Sequence, residues 1–315
     1  MKVSRREFLK YCTASAAALG LGLGDLGQLQ AALAGSGAPT LIWLHGSGCQ
    51  GDSVSFLNLF SDNFALPGST LTLADVLIDH VNLAYHTVVM SAAAQTAVTM
   101  ANQAKRKGGY VLVLEGGVPT VFDGRACIIA TDRGQELTYQ QAIRNLTDDA
   151  ALVVCVGTCS SYGGIPMSGV TEPNPSGVVS CPNFVHSIDP NKLVINIPGC
   201  PAHPEWIAWA VVQLILGNVP ELDAYNRPVA LYGESVHENC PRNPANGGNP
   251  NLATTFGQDL RCLQDLGCRG PSSHSNCPSR KWLAGENGPI NWCVDCNGMC
   301  IGCVEPTFPG GDIYT

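Results

Sequence analysis

The sequence predicts an α/β chain in which a doubly wound parallel sheet is followed by a smaller, irregular, cysteine-rich domain. Short continuous apolar runs alternate with segments of helical character as far as about Gly217, the pattern of strands buried on both faces. Three of these four runs deliver a cysteine just beyond their carboxyl ends. After Gly217 the periodicity fades into loops of Asn, Pro, Gly and Cys.

Taken in order, Leu41-Ile42-Trp43-Leu44 is the first run and ends in the loop His45-Gly46-Ser47-Gly48-Cys49. Tyr110 to Glu115 is the second, closing on Gly116-Gly117-Val118-Pro119. Ala151 to Val156 is the third, closing on Gly157-Thr158-Cys159, and Lys192 to Ile197 the fourth, closing on Pro198-Gly199-Cys200. Ala92–Lys107 and Glu205–Leu216 read as helices between or after them. Cofactors bind at the carboxyl edge of such sheets, because the strand-to-helix loops converge there. Cys49, Cys159 and Cys200 are therefore expected to meet at one point, with neighbouring glycines letting the backbone come close to a bulky group. Asn218–Pro228 reads as a linker, which divides the mature chain into residues 35–217 and 218–315. The second part has too few apolar runs to hold its shape without bound cofactors.

The carboxyl-terminal segment packs Cys293, Cys296, Cys300 and Cys303 into eleven residues, ending in Cys-x-x-Cys-x-Glu-Pro. Closely spaced thiolates suit zinc or iron–sulfur clusters. A single zinc needs four ligands, whereas a further set, His237, Cys240, Cys262, Cys268 and Cys277, lies just upstream. That many soft ligands point to several iron–sulfur clusters.

At the amino terminus, Ser4-Arg5-Arg6-Glu7-Phe8-Leu9-Lys10 is a twin-arginine pattern, followed by an Ala/Gly/Leu run and the small-residue site Ala32-Leu33-Ala34. Residues 1–34 are expected to be a signal peptide, leaving a mature chain in the periplasm, exported already folded. The signal carries four basic and two acidic side chains, so its loss takes the formal charge from −8 to −10. This balance disfavours nucleic acid and suits a basic redox partner. No later apolar run is long enough for a membrane span. A disulfide framework is disfavoured despite 15 cysteines, since 45% hydrophobic composition over 315 residues can build an ordinary core.

The series Trp43-Leu-His-x-x-x-Cys49, Glu115-Gly-x-x-Pro119, Val156-Gly-Thr-Cys159-Ser-Ser-Tyr-Gly-Gly-Ile-Pro166, Pro198-Gly-Cys200-Pro201, His237-Glu-Asn-Cys240, Leu266-Gly-Cys268-Arg-Gly-Pro271 and Cys300-Ile-Gly-Cys303-Val-Glu-Pro306 resembles, in order and over nearly the whole chain, the small subunit of nickel–iron hydrogenases. Asn291-Trp-Cys293 resembles the soluble periplasmic branch that includes the nickel–iron–selenium enzymes. The resemblance implies a flavodoxin-like domain with a proximal cluster and a second domain with a medial and a distal one. It also implies a large-subunit partner that carries the nickel and iron, with sulfur or selenium left open, and an external acceptor such as a c-type cytochrome. No catalytic side chain is expected here.

Residue by residue, the resemblance implies Cys49, Cys159 and Cys200 at the proximal cluster. Where the family has a fourth cysteine, this chain has Asp52. Three readings stay open: Asp52 ligates one iron of a four-iron cluster, the cluster has three irons, or Asp52 only caps the following helix. The distal ligands would be His237, Cys240, Cys262 and Cys268, the histidine making that four-iron cluster less negative. The medial ligands would be Cys277, Cys300 and Cys303, with Cys293 the fourth if the cluster has four irons rather than three. Cys127, Cys155, Cys181 and Cys296 match no ligand position, and Cys155 reads as a buried apolar residue within its strand. His45 and Glu115 are read without a committed role. The competing expectations are an exported ferredoxin-like carrier without a large subunit and a structural zinc protein.

Overall fold

In a computed structural model, residues 39–58, 81–168, 177–285 and 288–310 are described. The expected signal peptide and its cleavage site lie outside them. Five strands, β1 (Thr40–His45), β2 (Asn82–His86), β3 (Tyr110–Glu115), the later strand Ala150–Val156 and Val194–Ile197, form one sheet. Numbering all strands in chain order makes the last two β7 and β9, because two short pairs intervene. These are β4 (Val118–Pro119) with β8 (Val178–Val179), and the hairpin β5 (Ile128–Asp132) with β6 (Gln135–Thr138). The sheet order is β2-β1-β3-β7-β9 and every neighbour is parallel. That is the flavodoxin-like order, with its switch point between β1 and β3.

Both faces of the sheet are buried, which is why its strands read as unbroken apolar runs. On one face Trp43, Val111, Val113, Val154, Val156, Ile195 and Ile197 pack against α1 (Gly51–Leu57) through Phe56 and against a long later helix, Pro204–Ile215, through Trp206, Ile207 and Val211. On the other, Ile42, Leu44, Leu112, Leu114, Val153 and Cys155 meet α2 (Ala94–Lys107), α3 (Tyr139–Thr147) and a short helix, Cys181–His186. Between α3 and that short helix come α4 (Thr158–Tyr162) and α5 (Gly164–Met167), making Cys181–His186 α6 and Pro204–Ile215 α7. The helix starts are written in the sequence. Thr138 and Gln141 form a reciprocal capping box at α3, Ser180 caps α6, and His203 caps α7 ahead of Pro204.

The four strands read from the sequence are present, Tyr110–Glu115 with the expected ends and the other three with shifted ends. Edge strand β2 and the β5–β6 hairpin were not anticipated; the strand, Asn82–His86, has polar ends and the hairpin is too polar and exposed, so neither gives a continuous apolar run.

Beyond α7 the chain is irregular, with α8 (Val229–Tyr232), α9 (Cys277–Arg280) and the hairpin β10 (Trp282–Gly285) to β11 (Gly288–Asn291). It has a small apolar core of its own, formed by Val236, Ala253, Leu263, Trp292, Val294 and Met299 with Cys240. This modifies the expectation that bound groups alone supply the core. The expected linker is fastened down: Arg227, 3% exposed, pairs with Asp223 at 2.7 Å and Glu305 at 3.1 Å. The irregular part is clamped to the sheet by Trp206 Nε1–H donating to Asn276 Oδ1 at 2.8 Å, Tyr232 Oη–H donating to the Pro198 carbonyl at 2.9 Å, and the Arg280–Glu205 ion pair. Cys277 and Cys303 pack on the sheet-side core at this junction.

Candidate iron–sulfur relay site

The loops after β1, β7 and β9 carry Cys49, Cys159 and Cys200 to one edge of the sheet. Gln50 takes the left-handed conformation (φ 59°) to turn the chain into α1, and its N–H donates to His45 Nε2 at 3.1 Å. His45 is thus a hydrogen-bonding member of the Cys49 loop. Cys159 opens α4, and the chain returns so closely at Gly164 that an added Cβ would lie 2.9 Å from the Cys159 backbone. Burial pushes the Cys159 thiol up to about 12, a backbone hydrogen bond at Ile165 opposes it, and Cys200, Asp52 and Cys49 add repulsion. Burial likewise raises Cys200, with Asp52 and Cys49 contributing. The four side chains therefore feel one another as a single group.

Asp52 is 8% exposed. Its Oδ1 accepts the Ala202 N–H at 2.7 Å, and its Oδ2 faces Gly157 so tightly that a Cβ there would stand 2.0 Å away. Burial, then the charge of Glu115, push its carboxyl up to about 8, against the Ala202 hydrogen bond. The possibility that Asp52 only caps its own helix is not what the geometry has. Glu115 performs that capping from the end of β3, accepting the N–H groups of Asp52 at 3.1 Å and Ser53 at 3.0 Å. Its carboxylate also accepts Trp43 Nε1–H at 2.9 Å and the Ser53 hydroxyl. Asp52 instead ties the β1 loop to the β9 loop.

The second group lies at the domain junction. Burial pushes Cys277 up to about 12, opposed by the Ser275 hydroxyl, which donates to its sulfur at 3.1 Å, and reinforced by Cys300 and Cys293. Burial raises Cys303 as well, with Cys277, Cys300 and Cys293 adding to it. Cys300 rises to about 11, from burial first. Cys293 sits on the exposed side of this set, and Cys296 is exposed beside it.

The third group is held by turns. Ser235 and Glu238 exchange hydrogen bonds of 2.8 and 3.1 Å, and the Cys240 N–H donates to the His237 carbonyl at 3.2 Å. Gly270 lies between His237 and Cys268; a Cβ on it would be 3.6 Å from the Cys268 sulfur and 3.7 Å from His237 Cβ. Burial raises Cys240, a backbone N–H of Arg242 lowers it, and Cys268 and Cys262 raise it further.

The groups form a sequence in space. The Thr158 hydroxyl, next to Cys159, donates to the Cys303 carbonyl, linking the first group to the second, and the Cys300 N–H meets the Cys268 sulfur at 3.4 Å, linking the second to the third. Among the described residues no three His, Cys, Asp or Glu side chains close on one ion position. The thiols are spread wider than a single zinc requires, and burial raises those of Cys159, Cys200, Cys240, Cys277, Cys300 and Cys303, so that a cationic core binding there has their protons to displace. The donor set thus fits clusters. Cys155 and Cys181 lie fully buried on the other face of the sheet, where Cys181 donates to the Gly116 carbonyl at 3.2 Å and sits 3.6 Å from Tyr139 Oη. Sequence reading overlooked Gly157, Gly270 and Arg242; for the last, an arginine two residues after a candidate ligand was the available signal.

Comparison with known proteins identifies the arrangement. Residues 49–214 match the family of the NADH ubiquinone oxidoreductase 20 kDa subunit, and residues 232–314 the carboxyl-terminal family of the NiFe/NiFeSe hydrogenase small subunit. The periplasmic [NiFeSe] hydrogenase small subunit of Desulfomicrobium baculatum is 37% identical, over 99% of this chain and 98% of its own. The periplasmic [NiFe] hydrogenase small subunit of Solidesulfovibrio fructosivorans is 34% identical, over 97% and 90%. Among solved structures, the oxidised recombinant [NiFeSe] hydrogenase from Desulfovibrio vulgaris Hildenborough superposes with a TM-score of 0.75 at 36% identity, covering 90% of this chain and 99% of that one. The actinobacterial-type NiFe-hydrogenase from Ralstonia eutropha H16 gives 0.71 at 28%, covering 86% and 80%. With its sheet order, its three cysteine-rich groups and this similarity along almost its full length, the chain belongs to the small subunits of the nickel–iron hydrogenases.

Proposed function

We propose that the three side-chain groups are the ligand shells of three iron–sulfur clusters, through which this electron-transferring subunit connects a large-subunit hydrogenase centre to an external acceptor. The proximal shell is Cys49, Cys159, Cys200 and Asp52; the medial shell is Cys277, Cys293, Cys300 and Cys303; the distal shell is His237, Cys240, Cys262 and Cys268. The observation that carries this is the spatial order of the groups, joined at Thr158–Cys303 and Cys268–Cys300. When bound, such clusters accept and pass on one electron at a time.

The residues of this chain hold, bury and separate. The sheet edge presents the proximal shell to the catalytic partner, and residues 35–217 form the unit that carries it. Residues 218–315 carry the other two shells. His237 leaves the distal shell with one thiolate fewer, which favours its reduced state over that of an all-thiolate shell. Asp52 gives the proximal shell a hard oxygen donor at one corner. Export by the twin-arginine route places the mature chain in the periplasm, and its formal charge of −10 suits a basic acceptor such as a c-type cytochrome. No described helix is long and apolar enough to cross a membrane.

The test is iron and acid-labile sulfide analysis of the purified complex with its native mass, extended to Asp52→Cys and Asp52→Ala. Ligation requires the cysteine variant to hold a four-iron proximal cluster and the alanine variant to lose iron there. Full proximal iron and an unaltered spectrum in Asp52→Ala would remove Asp52 from the shell. A chain isolated alone from its source with all its clusters would favour a free-standing carrier.

A further inference from the structure

Two buried arginines in the irregular part are equally hidden and differ in their partners. Arg227 and Arg242 are each 3% exposed. Arg227 lies between two carboxylates, Asp223 and Glu305. Arg242 pairs with no carboxylate among the described residues, and its Nε is one of the buried side-chain atoms left without a hydrogen-bond partner. An unpaired buried guanidinium is strongly disfavoured, since it cannot shed its charge by losing a proton. Its counter-charge has to come from something other than the acidic side chains.

The contacts of Arg242 say where. It follows Cys240 by two residues. Its Nη1 donates to the carbonyl of Arg261, the residue before Cys262, at 3.4 Å. Its Nη2 donates to Asn297 Oδ1 at 2.7 Å, in the loop between Cys296 and Cys300. One side chain thus spans from the distal ligand segments to the medial ligand loop, the two groups that the Cys268–Cys300 contact also joins.

We propose that Arg242 is the shared counter-cation of the medial and distal clusters, its buried charge offsetting their thiolates and its spare Nε–H serving as a donor to sulfur at their junction. This rests on the ligand shells proposed above. A fixed positive charge and an N–H···S hydrogen bond both favour the reduced, more negative state of a cluster, so Arg242 raises the potentials of these two clusters. The proximal cluster, held by segments that Arg242 does not contact, serves as the internal reference. Arg242 is a positioning and tuning residue and takes no electron itself.

The experiment is a potentiometric titration of the purified heterodimer followed by electron paramagnetic resonance, on the parent, Arg242→Gln and Arg242→Lys proteins. Arg242→Gln is expected to lower the medial and distal midpoint potentials while the proximal one stays in place, and Arg242→Lys to keep all three near the parent values. Unchanged potentials in a fully loaded Arg242→Gln protein overturn the proposal and leave the ligand shells standing. Absence of medial and distal clusters in the parent overturns both. If Arg242→Gln cannot hold the two clusters, restoration of loading by Arg242→Lys supports a requirement for the charge. Loss in both variants overturns it, because the hydrogen-bonding fork and not the charge would then be what the site needs.

Discussion

Gly157→Ala tests the placement of Asp52 without replacing any candidate ligand. Gly157 ends β7 at φ 84° and ψ 156°, a conformation that costs a residue with a side chain about 1–3 kcal/mol. The new Cβ would stand 2.0 Å from Asp52 Oδ2 and 2.6 Å from its Cγ, so the carboxyl group has to retreat by about 1.4 Å to reach ordinary contact. That retreat pulls Oδ1 from the Ala202 N–H at 2.7 Å, a hydrogen bond worth about 0.5–1.5 kcal/mol for the neutral carboxyl that burial favours at pH 7. Strain and lost bond together come to about 1.5–4.5 kcal/mol, a sizeable part of the roughly 5–15 kcal/mol that holds a typical domain folded. Gly134→Ala is the control: its φ is also strongly positive, at 81°, but nothing lies within 4 Å of the added carbon. Thermal unfolding of the purified heterodimer at one scan rate, with the iron content and spectrum of the proximal cluster, reads both effects. Gly157→Ala should lose much more stability than Gly134→Ala and alter the proximal spectrum. Equal unfolding temperatures and an unchanged proximal spectrum would refute the packing described for Asp52.

His237→Ala should change the distal spectrum alone; loss of the proximal or medial signal with the distal one intact would reverse the assignment. Cys293→Pro should convert a four-iron medial cluster to three irons, seen as a paramagnetic oxidised state, whereas Cys296→Ser should leave the medial spectrum as it is. Burial, with the nearby Arg280 charge, lowers His203 to about 3 despite the hydrogen bond its ring makes to the Lys281 carbonyl. The unfolded chain then binds the extra proton first, so this contribution is complete above pH 6.5 and is lost as pH falls towards 3, by about 1.4 kcal/mol per pH unit. Denaturation midpoints measured between pH 6.5 and 5 should fall less steeply for His203→Gln, and an identical slope would exclude His203 as the titrating group.

The parallel strands were legible because burial on both faces removes polar residues from them, leaving runs such as Tyr110–Leu114 that mean little else beside glycine-terminated loops. The meeting of Cys49, Cys159 and Cys200 was legible for the same reason: parallel strands deliver their loops to one edge. Strand β2 was not, since Asn82–His86 owes its place to pairing with β1 and not to its composition. The role of Glu115 was equally hidden. Its four donors come from Trp43, Asp52 and Ser53, 62 or more residues away in sequence, and only the sheet's register brings them to one carboxylate.

By itself, then, the amino-acid sequence determined the fold class, the family and the inventory of soft donors, because these depend on local periodicity, on turn residues and on short motifs. Tertiary structure alone decided how Asp52 is held, that Cys155 and Cys181 face away from the candidate clusters, and that Arg227 has carboxylate partners where Arg242 has none among the described residues. Those are statements about which distant groups share a buried volume, and hydrogen bonding and Coulomb interaction inside a protein depend on that proximity and on the exclusion of water, neither of which is written in sequence spacing.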